Sequence, residues 1–420
     1  MKLFSAHTLL ACLLTTAALA QPGRAEKTGT QNANAQNARV QNSHTTENLR
    51  GASAVSQQIA WASGTHGTYL RTTDAGHTWL SAQVPGAESL DFRAVVAFSA
   101  DEAFLMSAGP GDQSRIYHTS DAGRRWQLQF TNTNAKGFFD SMVFWDPAHG
   151  VVLGDPIPDE TGQLKFELLL TNDGQTWIPI PPAQLPPAVA GEGAFAASNS
   201  CLAVLSPNNG TAGELPVNAG TNGQDTTSSR AEIGSEKNRA LAPEGNDPNL
   251  WFATGGSVAR VFRSPDRGLS WQVFTTPILH GPDSAGIFSI AFRDSLHGVI
   301  AGGDYKHPDH DGPNLAFTSD GGITWTLSPI RPQAYFSAVA FDRNPPVPSH
   351  QDPAHFRLFI VAPGFIFDFR PPYNPSRINP RKKSGIKFNA ISPNPIGGVL
   401  VVGPNGSIAS LPALPRTPLH

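Results

Sequence analysis

Thr72-Thr73-Asp74-Ala75-Gly76-His77-Thr78-Trp79 reads as a turn in which each residue has a local task. An Asp carboxylate accepts hydrogen bonds from turn N–H groups, Gly takes a dihedral that other residues resist, and Trp anchors the turn against apolar neighbours. The octet returns as Thr119-Ser120-Asp121-Ala122-Gly123-Arg124-Arg125-Trp126. It returns again as Asn172-Asp173-Gly174-Gln175-Thr176-Trp177, with Asn172 in the Asp position. Two further copies, Ser264-Pro265-Asp266-Arg267-Gly268-Leu269-Ser270-Trp271 and Thr318-Ser319-Asp320-Gly321-Gly322-Ile323-Thr324-Trp325, make five. The tryptophans stand 47, 51, 94 and 54 residues apart. The long interval contains Pro207 to Pro248, a stretch without aromatics and rich in Gly, Asn, Thr and Ser. Removing it brings every interval to one period.

A period of roughly 40–50 residues built of short strands is the mark of a β-propeller, with one four-stranded blade per period. Blade starts are visible independently of the octets. Leu49-Arg50-Gly51, Phe92-Arg93-Ala94, Phe139-Asp140-Ser141, Phe195-Ala196-Ala197, Phe288-Ser289-Ile290, Phe336-Ser337-Ala338 and Phe388-Asn389-Ala390 each open an apolar strand. The expected fold is therefore all-β, a seven-bladed propeller, with a six-bladed ring plus a hairpin as the alternative. The last two units lack the octet; Phe365 to Phe369 and Gly403 to Ile408 stand where their third strands belong.

Composition agrees and excludes other classes. Of 420 residues, 40 are Gly and 37 Pro, and only 15% are charged, with a net charge of −3. Helical bundles need longer Ala/Glu/Lys/Leu runs, and nucleic-acid binding needs a basic field. Residues 1–20 carry Lys2, an apolar run from Leu9 to Leu14, and Ala18-Leu19-Ala20, which reads as a signal peptide cleaved after Ala20. Leu9-Leu10-Ala11-Cys12 offers lipidation at Cys12 as the alternative. The expected product is periplasmic or secreted, with no transmembrane segment in the mature chain. Residues 21–46 read as a flexible tether, 47–412 as the propeller, 207–248 as a disordered insertion within the fourth blade, and 413–420 as a tail. Cys201, in the apolar run Cys201 to Leu205, reads as a core residue.

The five octets resemble the Asp-box, or sialidase-type BNR, repeats. Gly111-Asp112-Gln113-Ser114-Arg115-Ile116-Tyr117, Phe144-Trp145-Asp146, Gly154-Asp155-Pro156, Gly191 to Ser198 and Gly302-Gly303-Asp304-Tyr305 resemble the exported bacterial branch of the photosystem II stability and assembly factor-like propellers. The resemblance implies a structural role for Asp74, Asp121, Asn172, Asp266 and Asp320. It also implies a binding scaffold or assembly factor for an envelope or membrane protein, without catalysis.

Octet turns join strands three and four on one face. Ligands of propellers gather on the opposite face, where the inter-blade connections and the turns between strands two and three surround the channel mouth. That face collects Arg50, Arg93 and Asp140 from blade starts, Asp112, Arg115, Asp155, Asp304 and Tyr305 from the second turns, and Glu192 from a connection. Three guanidinium forks among carboxylates suit a carboxylate on a protein or glycan ligand, or else pair internally. The sialidase alternative places Arg50, Arg93 and Arg115 on a substrate carboxylate, Tyr305 with Glu192 as nucleophile and base, and Asp155 as acid. The Arg-Ile-Pro signature of those enzymes is absent. Lys306-His307-Pro308-Asp309-His310-Asp311 has metal-ligand residue types within a single loop and reads as a solvated turn. No dinucleotide fingerprint, haem motif or redox cysteine pair is present, so no cofactor and no metal are expected. Arg370, Arg377 and Arg381-Lys382-Lys383 form a basic cluster between the last two blades.

Overall fold

Each octet that the sequence repeats joins the third and fourth strands of one blade. The computed structural model describes residues 38–195, 198–205, 247–329, 334–343, 357–369, 376–378 and 387–413. The signal segment, nearly all of the insertion and the basic cluster apart from the backbone of Arg377 lie outside them. Seven antiparallel sheets arise in chain order and form a seven-bladed β-propeller. Blade one comprises Leu49–Ala54, Ala60–Gly64, Thr68–Thr72 and Leu80–Gln83. Blade two comprises Phe92–Ala97, Ala103–Ser107, Arg115–Thr119 and Gln127–Thr131, and blade three Phe139–Asp146, His149–Pro158, Leu164–Thr171 and Ile178–Pro179. Leu202–Val204, Leu250–Ala253, Arg260–Ser264 and Gln272–Thr275 form blade four. Blade five runs through Ala285–Phe292, Gly298–Asp304, Leu315–Thr318 and Thr326–Leu327. Blade six contains Ala338–Phe341, Leu358–Ala362, Phe365–Phe369 and Ser376–Ile378.

Blade seven has three strands from the C-terminal end, Ala390–Pro393, Gly398–Gly403 and Ser407–Pro412. Its fourth is Arg39–Gln41, with Arg39 opposite Ser410 and Gln41 opposite Ile408. Residues 38–46 thus do not belong to a free tether; they close the ring. Three polar-edged residues suffice because an outer strand buries little and gains its stability from the ladder.

The inner strands are buried on both faces, as expected where sheets pack against neighbours on either side. Ala103–Ser107 is buried at every position, whereas the outer Leu80–Gln83 is not buried at any. Apolar clusters lie between successive blades. The seam between blades seven and one is filled by Leu49, Leu70 and Trp79 against Leu400, Val402 and Ile408.

The octets act as expected. Asp74 accepts from the Thr78 N–H at 2.9 Å and the Thr78 hydroxyl at 2.6 Å, while Thr72 donates to Asp74 at 2.9 Å. Hydrogen bonds from Thr78 hold the Asp74 carboxyl at about 2. Asp121, Asp266 and Asp320 repeat the pattern. Blade three differs from the expectation. Its turn is one residue shorter, and Asp173, not Asn172, accepts from Gln175 N–H at 2.8 Å and Thr176 N–H at 2.7 Å. Counting the deletion after the Asp position, and not before it, restores the alignment.

Candidate ligand site at the channel mouth

A one-residue bulge at the start of strand one aims a side chain out of each ladder. Leu49 pairs with Gly64 and Gly51 with Ser63, leaving Arg50 unpaired between them. The same irregularity expels Arg93, Asp140 and Phe288. In blades six and seven, Ser337 and Ala338 both lie opposite Val361, and Asn389 and Ala390 both opposite Val402. Two residues facing one is the bulge geometry that re-aims side chains at functional rims.

Five of these six residues, Arg50, Arg93, Phe288, Ser337 and Asn389, line one cavity of about 480 Å³. Its other walls include Phe195, Tyr305, Pro308, Tyr335, Pro363 and Lys387. Pro363 comes from the turn between strands two and three of blade six, which places the cavity on the face opposite the octets.

The cavity has two chemically distinct halves. One is cationic: Arg50, Arg93 and Lys387. Asp91 lies between the arginines, with its Oδ2 2.9 Å from Arg93 Nε and 3.7 Å from Arg50 Nη1. Burial, with repulsion from Arg93, lowers the Arg50 pKa from its ordinary value. The other half is aromatic. Phe195 stacks on Phe288 with centroids 4.0 Å apart, and Tyr335 meets Phe288 edge-on at 4.7 Å. Burial pushes the Tyr335 phenol up, against the pull of Arg50. The aromatic wall depends on glycine: a Cβ on Gly255 would lie 2.2 Å from the Phe195 ring, so only the bare backbone leaves room for it.

The sequence-based site is only partly assembled. Arg50, Arg93 and Tyr305 converge on the cavity, and Asp304 neighbours it. Asp304 is a structural acceptor, bound by His307 Nδ1 at 2.8 Å and by the Lys306 N–H at 2.9 Å. Burial opposes its ionisation, yet the bonds from His307, Ser284 and Lys306 lower its carboxyl to about 2. Arg115 does not line the cavity; its Nε donates to the Asp112 carbonyl at 2.6 Å, and the two side chains approach at 3.9 Å. Glu192 is locked in a buried pair, accepting from Arg260 Nε at 2.8 Å, Arg260 Nη2 at 2.5 Å and the Thr254 hydroxyl at 2.7 Å. Asp155 is mostly buried and accepts from the Ala194 N–H at 3.0 Å; burial raises its pKa. Asp140 is wholly buried and outside the lining. The three-arginine arrangement with a Tyr305–Glu192 couple therefore does not form, and Lys387 supplies the third cation. Among the described residues no cluster of potential metal ligands occurs, the His307–Asp311 run included.

Two blade starts differ from the sequence-based expectation. The buried anchor of blade five is Ile287, one residue before Phe288, so Phe288 takes the expelled position. Strand one of blade four begins at Leu202, and Phe195 belongs to the cavity wall instead.

No family model matches the sequence, and no curated protein does. Among solved structures the chain resembles YCF48 bound to D1 peptide, with 14% identity over 90% of this chain and 96% of that one and a TM-score of 0.57. The likeness is one of fold. The WD40 β-propeller domain of Doa1 matches at 10% identity, 89% of this chain, 96% of that chain and a TM-score of 0.51. YCF48 from Cyanidioschyzon merolae matches at 16% identity, 89% and 98% coverage, and a TM-score of 0.48.

Proposed function

We propose that this protein is an exported, Asp-box-type propeller that acts without catalysis as a scaffold, holding a segment of an envelope or membrane protein at the channel mouth. The observation that carries the reading is the cavity itself, with Arg50, Arg93 and Lys387 facing Phe195, Phe288 and Tyr335. Its volume takes two or three residues, its cationic half suits carboxylates, and its aromatic half suits an apolar side chain beside them. A propeller of similar fold has been solved with a peptide, YCF48 with D1 peptide, which supports a polypeptide as occupant. Guanidinium-to-carboxylate bonds are the strong ones, at about 1.5–3 kcal/mol each.

The test is in-cell photo-crosslinking from position Tyr305, with and without Arg50→Gln and Arg93→Gln. Capture of one defined envelope or membrane protein, lost in the double variant, is expected. Recovery of the same abundant bystanders from both overturns the reading.

A further inference from the structure

Six blades expel a described side chain from the first strand, and five of the six line the cavity. The sixth is Asp140, which is 1% exposed. Its Oδ2 has no hydrogen-bond partner among the described residues. It stands in the ring next to Arg93, the equivalent residue of blade two, and Arg93 turns its Nε to Asp91 instead. A buried carboxylate without a donor is costly, whereas a carboxylic acid in the same place is not. The groups that act on Asp140 are Arg93, which favours its ionisation, and Asp155 and Glu167, which oppose it, as does burial. Cys201 also lies within its electrostatic reach. Glu167 accepts from the Asn132 amide at 2.9 Å and Asp155 from the Ala194 N–H, and as carboxyls neither offers Asp140 a positive charge.

We propose that Asp140 is a proton-controlled counter-charge to the mouth: protonated, it adds no charge beside Arg93, and ionised, it offsets the Arg93 cation that an anionic ligand would meet. The proposal rests on the mouth being an anion-binding site. A unit negative charge about 12 Å from an anion opposes its binding by about tenfold in affinity at an effective dielectric near 20. Anion binding then weakens as pH rises through the ionisation of Asp140, whereas a site of fixed charge shows no such slope.

N-acetyl-phenylalanine is a suitable probe, since it carries a carboxylate beside an aromatic ring and does not itself titrate between pH 5 and 8. Calorimetry over that range on the full chain is expected to show affinity falling by about tenfold. Asp140→Asn is expected to flatten the profile at its acid value. A slope that survives in Asp140→Asn overturns the proposal, as does a flat profile in the parent protein. No binding at any pH overturns both the proposal and the anion-site reading on which it rests. Carboxyl-carbon NMR of the unliganded parent protein tests the acid without any variant. Asp140 titrating well above an ordinary aspartate is expected, and ionisation in the ordinary aspartate range overturns the proposal.

Discussion

The Trp79 indole N–H donates to Gln41 Oε1 at 2.8 Å across the junction between the last blade and the first. The bond joins the turn of blade one to the outer strand of blade seven, and Arg39 adds a second tie to His77 at 3.0 Å. Trp79→Phe keeps the apolar contact and removes the bond, so it is expected to cost about 1 kcal/mol. Deleting residues 39–41 also removes the ladder and exposes the edge of Ser407–Pro412, so its cost should be several-fold larger. Urea midpoints of the two variants against the parent protein check this; equal midpoints for deletion and parent would show that the strand contributes nothing.

A second expectation concerns Arg357. Its side chain is 2% exposed, donates to both oxygens of Asp368 at 2.8 and 3.0 Å and to Asp342 at 3.1 Å, and lies over the Phe359 ring. Asp342 in turn accepts from the Gly398 N–H of blade seven. Removing the cation takes a charged partner from two buried carboxylates, so Arg357→Met is expected to destabilise by about 3–5 kcal/mol. Adding Asp368→Leu should recover part of the loss, which thermal unfolding of the single and double variants measures.

Arg267 makes the opposite case. It is buried, its three guanidinium nitrogens lack hydrogen-bond partners among the described residues, and its φ is 57°. Stacking on Trp145 at 5.0 Å is a partial offset worth about 1 kcal/mol. The unmet donors and the left-handed backbone together cost more. Arg267→Gly is therefore expected to stabilise by about 1 kcal/mol, visible as a higher urea midpoint with unchanged slope. A lower midpoint would mean that the stack outweighs both costs.

Stability should pass through a maximum in mildly acidic solution. Burial raises the carboxyls of Asp140, Asp155 and Glu167 above their ordinary values of 3.8, 3.8 and 4.5. The folded chain then keeps protons that the unfolded chain has lost, so stability falls as pH rises from about 4 through the folded values. Asp173, held at about 2 chiefly by the Thr176 N–H, works the other way. Its contribution is present above the unfolded value near 4 and is lost as pH falls towards 2. Calorimetric melting from pH 2 to 8 checks the shape, and Asp140→Asn should shallow the alkaline limb only.

The turn of blade three offers a sharp contrast between neighbours. Asp173→Ala removes the acceptor of two backbone N–H groups and is expected to cost about 1–2 kcal/mol. Asn172→Ala, beside it and exposed, is expected to change the melting temperature by less than one degree. Equal effects would return the Asp position to Asn172.

Blade number and the third strand of blade six were legible in the sequence, because octets and apolar runs mark the units. Gly403 to Ile408, by contrast, is mostly the turn that precedes the third strand of blade seven, Ser407–Pro412. Register was not legible. Phe195 and Phe288 look like the anchors Phe92 and Phe139, and only pairing across the strand shows that Ile287 fills the core while Phe288 is expelled. Arg39-Val40-Gln41 carries no strand signal, since an outer strand of three residues has too little buried surface to impose alternation. Arg50 and Arg93 were found because charge at an apolar blade start is conspicuous. Ser337 and Asn389 occupy the same position in the same triplets, and the rule that residue two of the triplet faces the channel would have found them. Lys387 and Tyr335 sit in inter-blade connections without any repeat to locate them.

The strand at Arg39–Gln41 also sets an order of events. It is the first described strand to leave a ribosome, and its partner Ser407–Pro412 is the last. For the length of the whole ring this earliest segment has no ladder to join. Until its partner is made the propeller is an open arc, and it becomes a ring only when both ends of the span are present. Synthesis from the N-terminus delivers that segment long before the surface that holds it.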